Sequence, residues 1–120
     1  MKNHLATGKW GERLAAVYLE NRGIQIIAKN VRTPYGEIDL VGQSGDEIIF
    51  FEVKTRTSVS FGLPEDAVTQ NKLTHITQSA QAFLQENPHL GEDWRIDVIA
   101  IQKKGGQGSP VIEWFENVSI

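Results

Sequence analysis

Glu47-Ile48-Ile49-Phe50-Phe51-Glu52-Val53-Lys54-Thr55-Arg56 reads as the longest and most apolar strand of the chain, and it carries charge where a buried strand should carry none. Side chains alternate faces along a strand, so Ile48, Phe50, Glu52, Lys54 and Arg56 share one face while Ile49, Phe51, Val53 and Thr55 take the other. Both faces are apolar at one end, the pattern of a strand covered on both sides. Burying Glu52 and Lys54 there is costly unless a partner or a metal compensates. The preceding stretch, Gly36-Glu37-Ile38-Asp39-Leu40-Val41, repeats the anomaly, with Glu37 and Asp39 expected on one face and Ile38 and Leu40 on the other. Two neighbouring strands thus each bring a carboxylate inward. A solvated face with cross-strand ion pairs, worth under ~1 kcal/mol, is the competing reading. It explains less well why Asp39 and Glu52 lie at the centres of the two most apolar strands.

Residues 7–21 have the spacing of a helix, with Trp10, Leu14, Val17 and Tyr18 as its core-facing stripe and Gly23 as the stop. Residues 24–32 form a strand ending at Thr33-Pro34-Tyr35-Gly36. The strand over 37–41 closes at Gly42-Gln43-Ser44-Gly45-Asp46. Residues 57–63 read as a loop. Pro64-Glu65-Asp66 reads as a helix start, and Thr69 as the cap of a helix running to about Glu86 with Ile76, Ala80, Phe83 and Leu84 inward. Asn87-Pro88 ends it. A strand over 95–102, a glycine-rich turn and a last strand over 111–115 complete the order α-β-β-β-α-β-β. That order predicts one α/β domain over residues 1–120, a mixed central sheet flanked by helices, with an antiparallel meander followed by a crossover helix.

Composition narrows the chemistry. The 120 residues include 12 Lys+Arg, 15 Asp+Glu and 40% hydrophobic residues, the profile of a soluble domain. With no cysteine, disulfides, thiolate catalysis and Cys-ligated metals are excluded. His4, His75 and His89 lack the paired spacing of a zinc site. Ile48-Ile49-Phe50-Phe51 is far short of a membrane span and the first residues hold no signal core, so a cytoplasmic protein with no membrane partner is expected. The formal charge of -3 conceals a gradient: six basic residues and two acids precede Tyr35, so a local positive surface is compatible with it.

The first helix supplies a third acid. At 100° per residue Glu12 falls between Leu19 and Ala16, at the edge of the buried arc. Two strand carboxylates and a main-chain oxygen make a hard, oxygen-rich site suited to Mg²⁺ or Mn²⁺. A lysine beside it can orient a nucleophile or neutralise developing charge at phosphorus. These are the requirements for hydrolysing a phosphodiester.

Gly8-x-x-Gly11-Glu12, Gly36-Glu37-Ile38-Asp39-Leu40, Phe50-Phe51-Glu52-Val53-Lys54-Thr55-Arg56, Gly62-x-Pro64, Lys72 and Arg95-x-Asp97-Val98 together resemble the YraN family of small bacterial proteins. That family is similar to the restriction-endonuclease-like superfamily, whose motif is PD-(D/E)xK, and particularly to the archaeal Holliday junction resolvases. The resemblance implies a restriction-endonuclease-like αβββαβ core, here with an extra C-terminal strand. It makes Asp39 the motif aspartate, with Ile38 in the proline's place, and Glu52 and Lys54 the (D/E)xK pair. Glu12 becomes the helical acid beside the metal, so the catalytic set is Glu12, Asp39, Glu52 and Lys54, with Asp39 and Glu52 holding Mg²⁺ or Mn²⁺. Arg32, Arg56 and Lys72 are the candidate nucleic-acid contacts. The expected function is Mg²⁺-dependent cleavage of DNA, branched DNA included, with a homodimer by analogy. The alternative is a non-catalytic nucleic-acid-binding or interaction module on the same fold.

Overall fold

The computed structural model describes residues 4–56, 69–103 and 109–118. Helix α1 (His4–Glu20) precedes three strands, β1 (Gln25–Thr33), β2 (Gly36–Ser44) and β3 (Glu47–Arg56). Helix α2 (Gln70–Glu86), a short 3₁₀ turn at Pro88–Leu90, and strands β4 (Trp94–Gln102) and β5 (Val111–Phe115) follow. The sheet runs β1-β2-β3-β4-β5, with β3 and β4 parallel and every other neighbour antiparallel. The expected meander and crossover are both present, and the order is αβββαβ with one further strand. The expected loop at 57–63, the helix start at 64–66 and the glycines of the 104–108 turn lie outside the described residues.

β3 is buried on both faces, as its double apolar pattern requires. Ile49 and Phe51 pack with Leu40, Ile99 and Ile101 beneath Ala15, Ala16 and Leu19 of α1. Ile48 and Phe50 pack with Ile38, Val41 and Ile96 beneath Ile76 and Ala80 of α2. Thr69 caps α2 by accepting a hydrogen bond from the Lys72 backbone N–H at 3.2 Å, which fixes the helix start where the sequence placed it.

Three expectations need correction. Val17 is 53% exposed and outside the core; the seam of α1 is made by the small residues Ala15 and Ala16 with Leu19, while Trp10, Leu14 and Tyr18 flank it. Small residues win because they let the helix lie close to the sheet. β2 does not close at Val41 but continues through Gly42 to Ser44. A Cβ on Gly42 would meet Ile24 Cγ2 at 2.6 Å and Phe51 Cε2 at 3.0 Å, so this glycine serves close packing, and the turn shrinks to Gly45-Asp46. Ile38 and Leu40, expected on one face, belong to opposite cores. Both strands lose step at the Asn30–Asp39 pair: Lys29 stands opposite Leu40 and Val31 opposite Ile38, and the Asn30 backbone between them is left-handed at φ 50°. A left-handed residue interrupts the up-and-down alternation of a strand, and asparagine tolerates that conformation better than most.

The one buried charge among the described residues is fully accounted for. Asp97, 0% exposed, accepts from Arg95 Nε and Nη2, from Trp114 Nε1 at 2.8 Å and from the Asn117 N–H at 2.8 Å. Arg95 also reaches Glu47 and Glu116, each at 3.0 Å. Asp97 is the structural partner of an arginine, and the network ties β3, β4 and the end of β5 together. Among the described residues no helix is long and apolar enough to cross a membrane.

Gly11 sets the approach of α1 to β3. A Cβ there would collide with Thr55 Oγ1, and threonine, stiff at χ1, has little room to yield. Alanine favours a helix over glycine by about 1 kcal/mol, yet overpacking costs roughly 1–3 kcal/mol. Gly11→Ala is therefore expected to lower the urea midpoint, and the double variant Gly11→Ala/Thr55→Ala to recover most of the loss. Additive effects in that cycle would contradict the contact.

Candidate active site

The ladder between β2 and β3 ends at Leu40 and Phe51. By that register Asp39 stands opposite Glu52, where the two strands part. β3 continues beside β4 as far as Arg56, while β2 bends away toward Gly36. The Val53 N–H, freed from the ladder, donates to Asp39 Oδ2 at 2.7 Å. A side-chain carboxylate thus takes the place of a strand carbonyl at the fork. The same bond holds Asp39 against β3, next to Glu52.

Four charged groups converge there. Burial pushes the Asp39 carboxyl from its ordinary 3.8 up to about 7, helped by the negative charges of Glu52 and Glu12 and by a hydrogen bond to Glu52; the Val53 N–H pulls the other way. Lys54 Nζ lies 3.1 Å from Glu52 Oε2, and Lys72 Nζ reaches the same oxygen at 3.5 Å from α2. Contact with Lys54 lowers the Lys72 pKa, and partial burial adds to the fall. Burial pulls the Lys54 pKa down, but its contacts with Lys72, Glu52 and Asp39 outweigh this and leave it raised. Of the two amines, Lys54 is the firmer cation.

Glu12 approaches from α1, and its Oε1 accepts a hydrogen bond from Asn30 Nδ2 at 2.9 Å. The residue whose left-handed backbone opposes Asp39 therefore also orients the third acid. Sequence reasoning missed Asn30, although asparagine inside a strand is an unfavourable choice that a functional constraint would explain. Gly11, one residue before Glu12, lets the helix come near enough for this contact. Asp39, Glu52, Lys54 and Lys72 thus gather at one place, with Glu12 near enough for its charge to help raise the Asp39 pKa.

Arg56 shares the face of Lys54 and lines a small cleft with it and Glu113. Its Nε is buried with no hydrogen-bond partner among the described residues. Arg32 stands apart, its side chain 88% exposed and paired with Glu37 at 3.5 Å on the β1–β2 turn. A 170 Å³ hollow opens beside Glu52, bounded by that turn and by Lys72, His75 and Ile76 of α2. Sequence reasoning gave His75 no role, and only the packing of α2 over the turn brings it to the site.

Among the described residues no three His, Asp or Glu side chains are placed to hold a metal ion. The protein's contribution to a cation would be Asp39 and Glu52, a sparse set of the kind Mg²⁺ accepts because it keeps several waters. The donor chemistry fits. Acids crowded until one retains its proton are acids that a divalent cation would discharge.

Comparison with known proteins places the chain. Residues 11–101 match the model of the uncharacterised protein family UPF0102, the YraN family. The chain belongs to this family. A UPF0102 protein of Syntrophomonas wolfei is 43% identical over 83% of this chain and 87% of its own. A relative in Dehalococcoides mccartyi is 39% identical over 96% of this chain and 93% of its own, and one in Rhodococcus opacus 44% identical over 84% and 86%.

The raised Asp39 pKa fixes a sign for pH dependence. The native carboxyl holds a proton between about pH 4 and 7 that the unfolded one releases, so its stabilisation is complete below pH 4 and lost as pH rises through 7. In chelator, wild-type stability should fall across that interval relative to Asp39→Asn, by at most ~4 kcal/mol. Parallel pH profiles of the two proteins in urea titrations would show that the acids are not crowded.

Proposed function

We propose that this UPF0102 protein is a divalent-metal-dependent endonuclease acting on DNA. The observation that carries the reading is the meeting of Asp39 and Glu52 where β2 and β3 part, with the Lys54 ammonium 3.1 Å from Glu52. Nearby carboxylates are costly to hold together in a half-buried site, and folding gains little from them. A bound Mg²⁺ or Mn²⁺ would polarise the scissile phosphate and acidify a water. Asp39 and Glu52 would hold it, with Asp39 oriented by the Val53 N–H. Lys54 would position the attacking water and offset charge growing on the phosphoryl oxygens. Glu12, fixed by Asn30, would act on the water of the same site.

Lys72 and Arg56 flank Glu52 and Lys54 on the face toward α2 and would hold the phosphate backbone, with Arg32, apart from the cluster near the end of β1, as an outlying contact. These cations answer the objection posed by the net charge of -3, because the local surface, not the sum, meets the phosphates. Branched DNA is the proposed substrate class, cleaved in the cytoplasm by a homodimer that offers two sites to two strands. A second reading has one observation in its favour: Glu52 Oε2 is held by two lysines at once, an arrangement that serves a non-catalytic nucleic-acid-binding module without any metal.

The two readings separate on a panel of linear, flapped and four-way DNA with Mg²⁺ or Mn²⁺. Cleavage is expected from the wild type, with a loss of about 100-fold or more in Asp39→Asn, Glu52→Gln and Lys54→Met, a scale typical of removing one transition-state contact. Lys72→Met should weaken DNA binding and reduce its salt dependence by about one unit of slope. Equal residual cleavage by all variants would exclude this site, and salt-sensitive binding without product would favour the binding module.

A further inference from the structure

The hollow beside Glu52 is set apart by its walls. Tyr35, 49% exposed, Gly36 and Glu37, whose charge Arg32 meets at 3.5 Å, bound it on the side of the β1–β2 turn; His75 and Ile76 bound it on the side of α2; Lys72 and Glu52 lie toward the charged cluster. Its 170 Å³ equals the share of roughly five or six water molecules, enough for one flat heteroaromatic ring and too little for a base pair.

The wall carrying Tyr35 is fixed in advance. Thr33 Oγ1 accepts from the Tyr35 N–H at 3.0 Å and donates to the Gly36 carbonyl at 3.0 Å. Its single proton being spent on Gly36, the 2.8 Å contact with Ser79 is a bond donated by Ser79, which is 0% exposed on α2. The turn is therefore clamped to the helix that forms the opposite wall. Gly36 has φ 144°, and a Cβ there would point at Ser79 Oγ and His75 Cβ, 3.7 and 4.0 Å away, so glycine keeps this side of the hollow clear.

We propose that this hollow is a binding site for one unpaired nucleobase, seated between the Tyr35 turn and His75–Ile76 with its phosphate toward Lys72. The inference rests on the nuclease reading for its ligand class and deepens it: the substrate is DNA with an unpaired nucleotide next to the scissile phosphate. Aromatic and imidazole walls with an aliphatic neighbour suit any base face, because every base presents a π surface, and a lysine at the rim meets the charge that accompanies each base. A paired base, stacked inside a duplex, cannot enter without being extruded.

The test is equilibrium binding without divalent metal, where no strand is cut. Wild type, Tyr35→Ala and Tyr35→Phe are titrated against a single strand, a fully abasic strand of equal length and a blunt duplex. Wild type should prefer the base-bearing strand to the abasic one by about tenfold or more, Tyr35→Phe should keep the preference, and Tyr35→Ala should lose it while binding the duplex as wild type does. Equal binding of base-bearing and abasic strands by wild type, an unaltered preference in Tyr35→Ala, or no binding of the single strand each overturn the proposal. Mg²⁺-dependent cleavage with the same substrate preference in Tyr35→Ala and wild type would sink the base site and leave the nuclease standing. Tyr35-dependent strand binding with no cleavage by wild type would do the reverse.

Discussion

One hydrogen bond organises the molecule's chemistry: the Val53 N–H to the Asp39 carboxylate at 2.7 Å. A strand amide at the end of a ladder needs an acceptor, and in a regular sheet the next carbonyl of β2 would supply it. Here β2 leaves, and a side chain from β2 closes the gap. The sheet gives up a main-chain pair and gains a carboxylate fixed at the fork. A charged acceptor makes a stronger bond than a carbonyl, which limits the loss to the sheet. The remaining geometry of the candidate site follows from where the strands part, because Glu52 is the β3 residue opposite that carboxylate.

The fork needs help from both layers. On one side Gly11 brings α1 against Thr55, so that Glu12 comes within range of Asn30. On the other, the Thr69 cap fixes the first turn of α2 and so the origin of Lys72. The two helices therefore contribute opposite charges to the two carboxylates of the fork, an acid from α1 near Asp39 and a base from α2 on Glu52. The β1–β2 turn is tied to α2 through Thr33 and Ser79, so turn and helix are held as one unit.

Much of this was legible in the sequence, and for physical reasons. The double apolar face of residues 47–56 announced a strand covered on both sides, and a charge in such a strand stands out because burial without a partner is costly. Glu52, Lys54 and Asp39 were legible on that ground, and Glu12 from the helical angle that placed it beside Leu19 and Ala16. What stayed hidden depended on departures from regular periodicity. Alternation put Ile38 with Leu40, but β1 and β2 lose step together at the Asn30–Asp39 pair. Spacing counted Val17 into the core, because hydrophobicity says nothing of how near a helix can approach a sheet. His75 and Tyr35 meet only through a turn and a helix about forty residues apart, a relation no local pattern carries.

Two inward aspartates of the sheet, Asp97 sealed and Asp39 half-buried, are compensated to very different degrees. Asp97 is sealed from solvent yet meets four donor groups on Arg95, Trp114 and Asn117, and its charge is balanced where it lies. Removing its partners would leave a buried charge unpaired, so such a site is fixed by folding alone. Asp39 has one N–H, two acids for neighbours and a carboxyl pushed up to about 7. Both aspartates lie in one sheet made by one chain, so the means to neutralise an inward carboxylate were at hand, and at Asp39 they are only half used. The balance is held open at the place where Lys54 and Lys72 gather and a hollow reaches solvent. Two acids that crowd each other and lean on two lysines differ in kind from Asp97, whose charge is met in full where it lies.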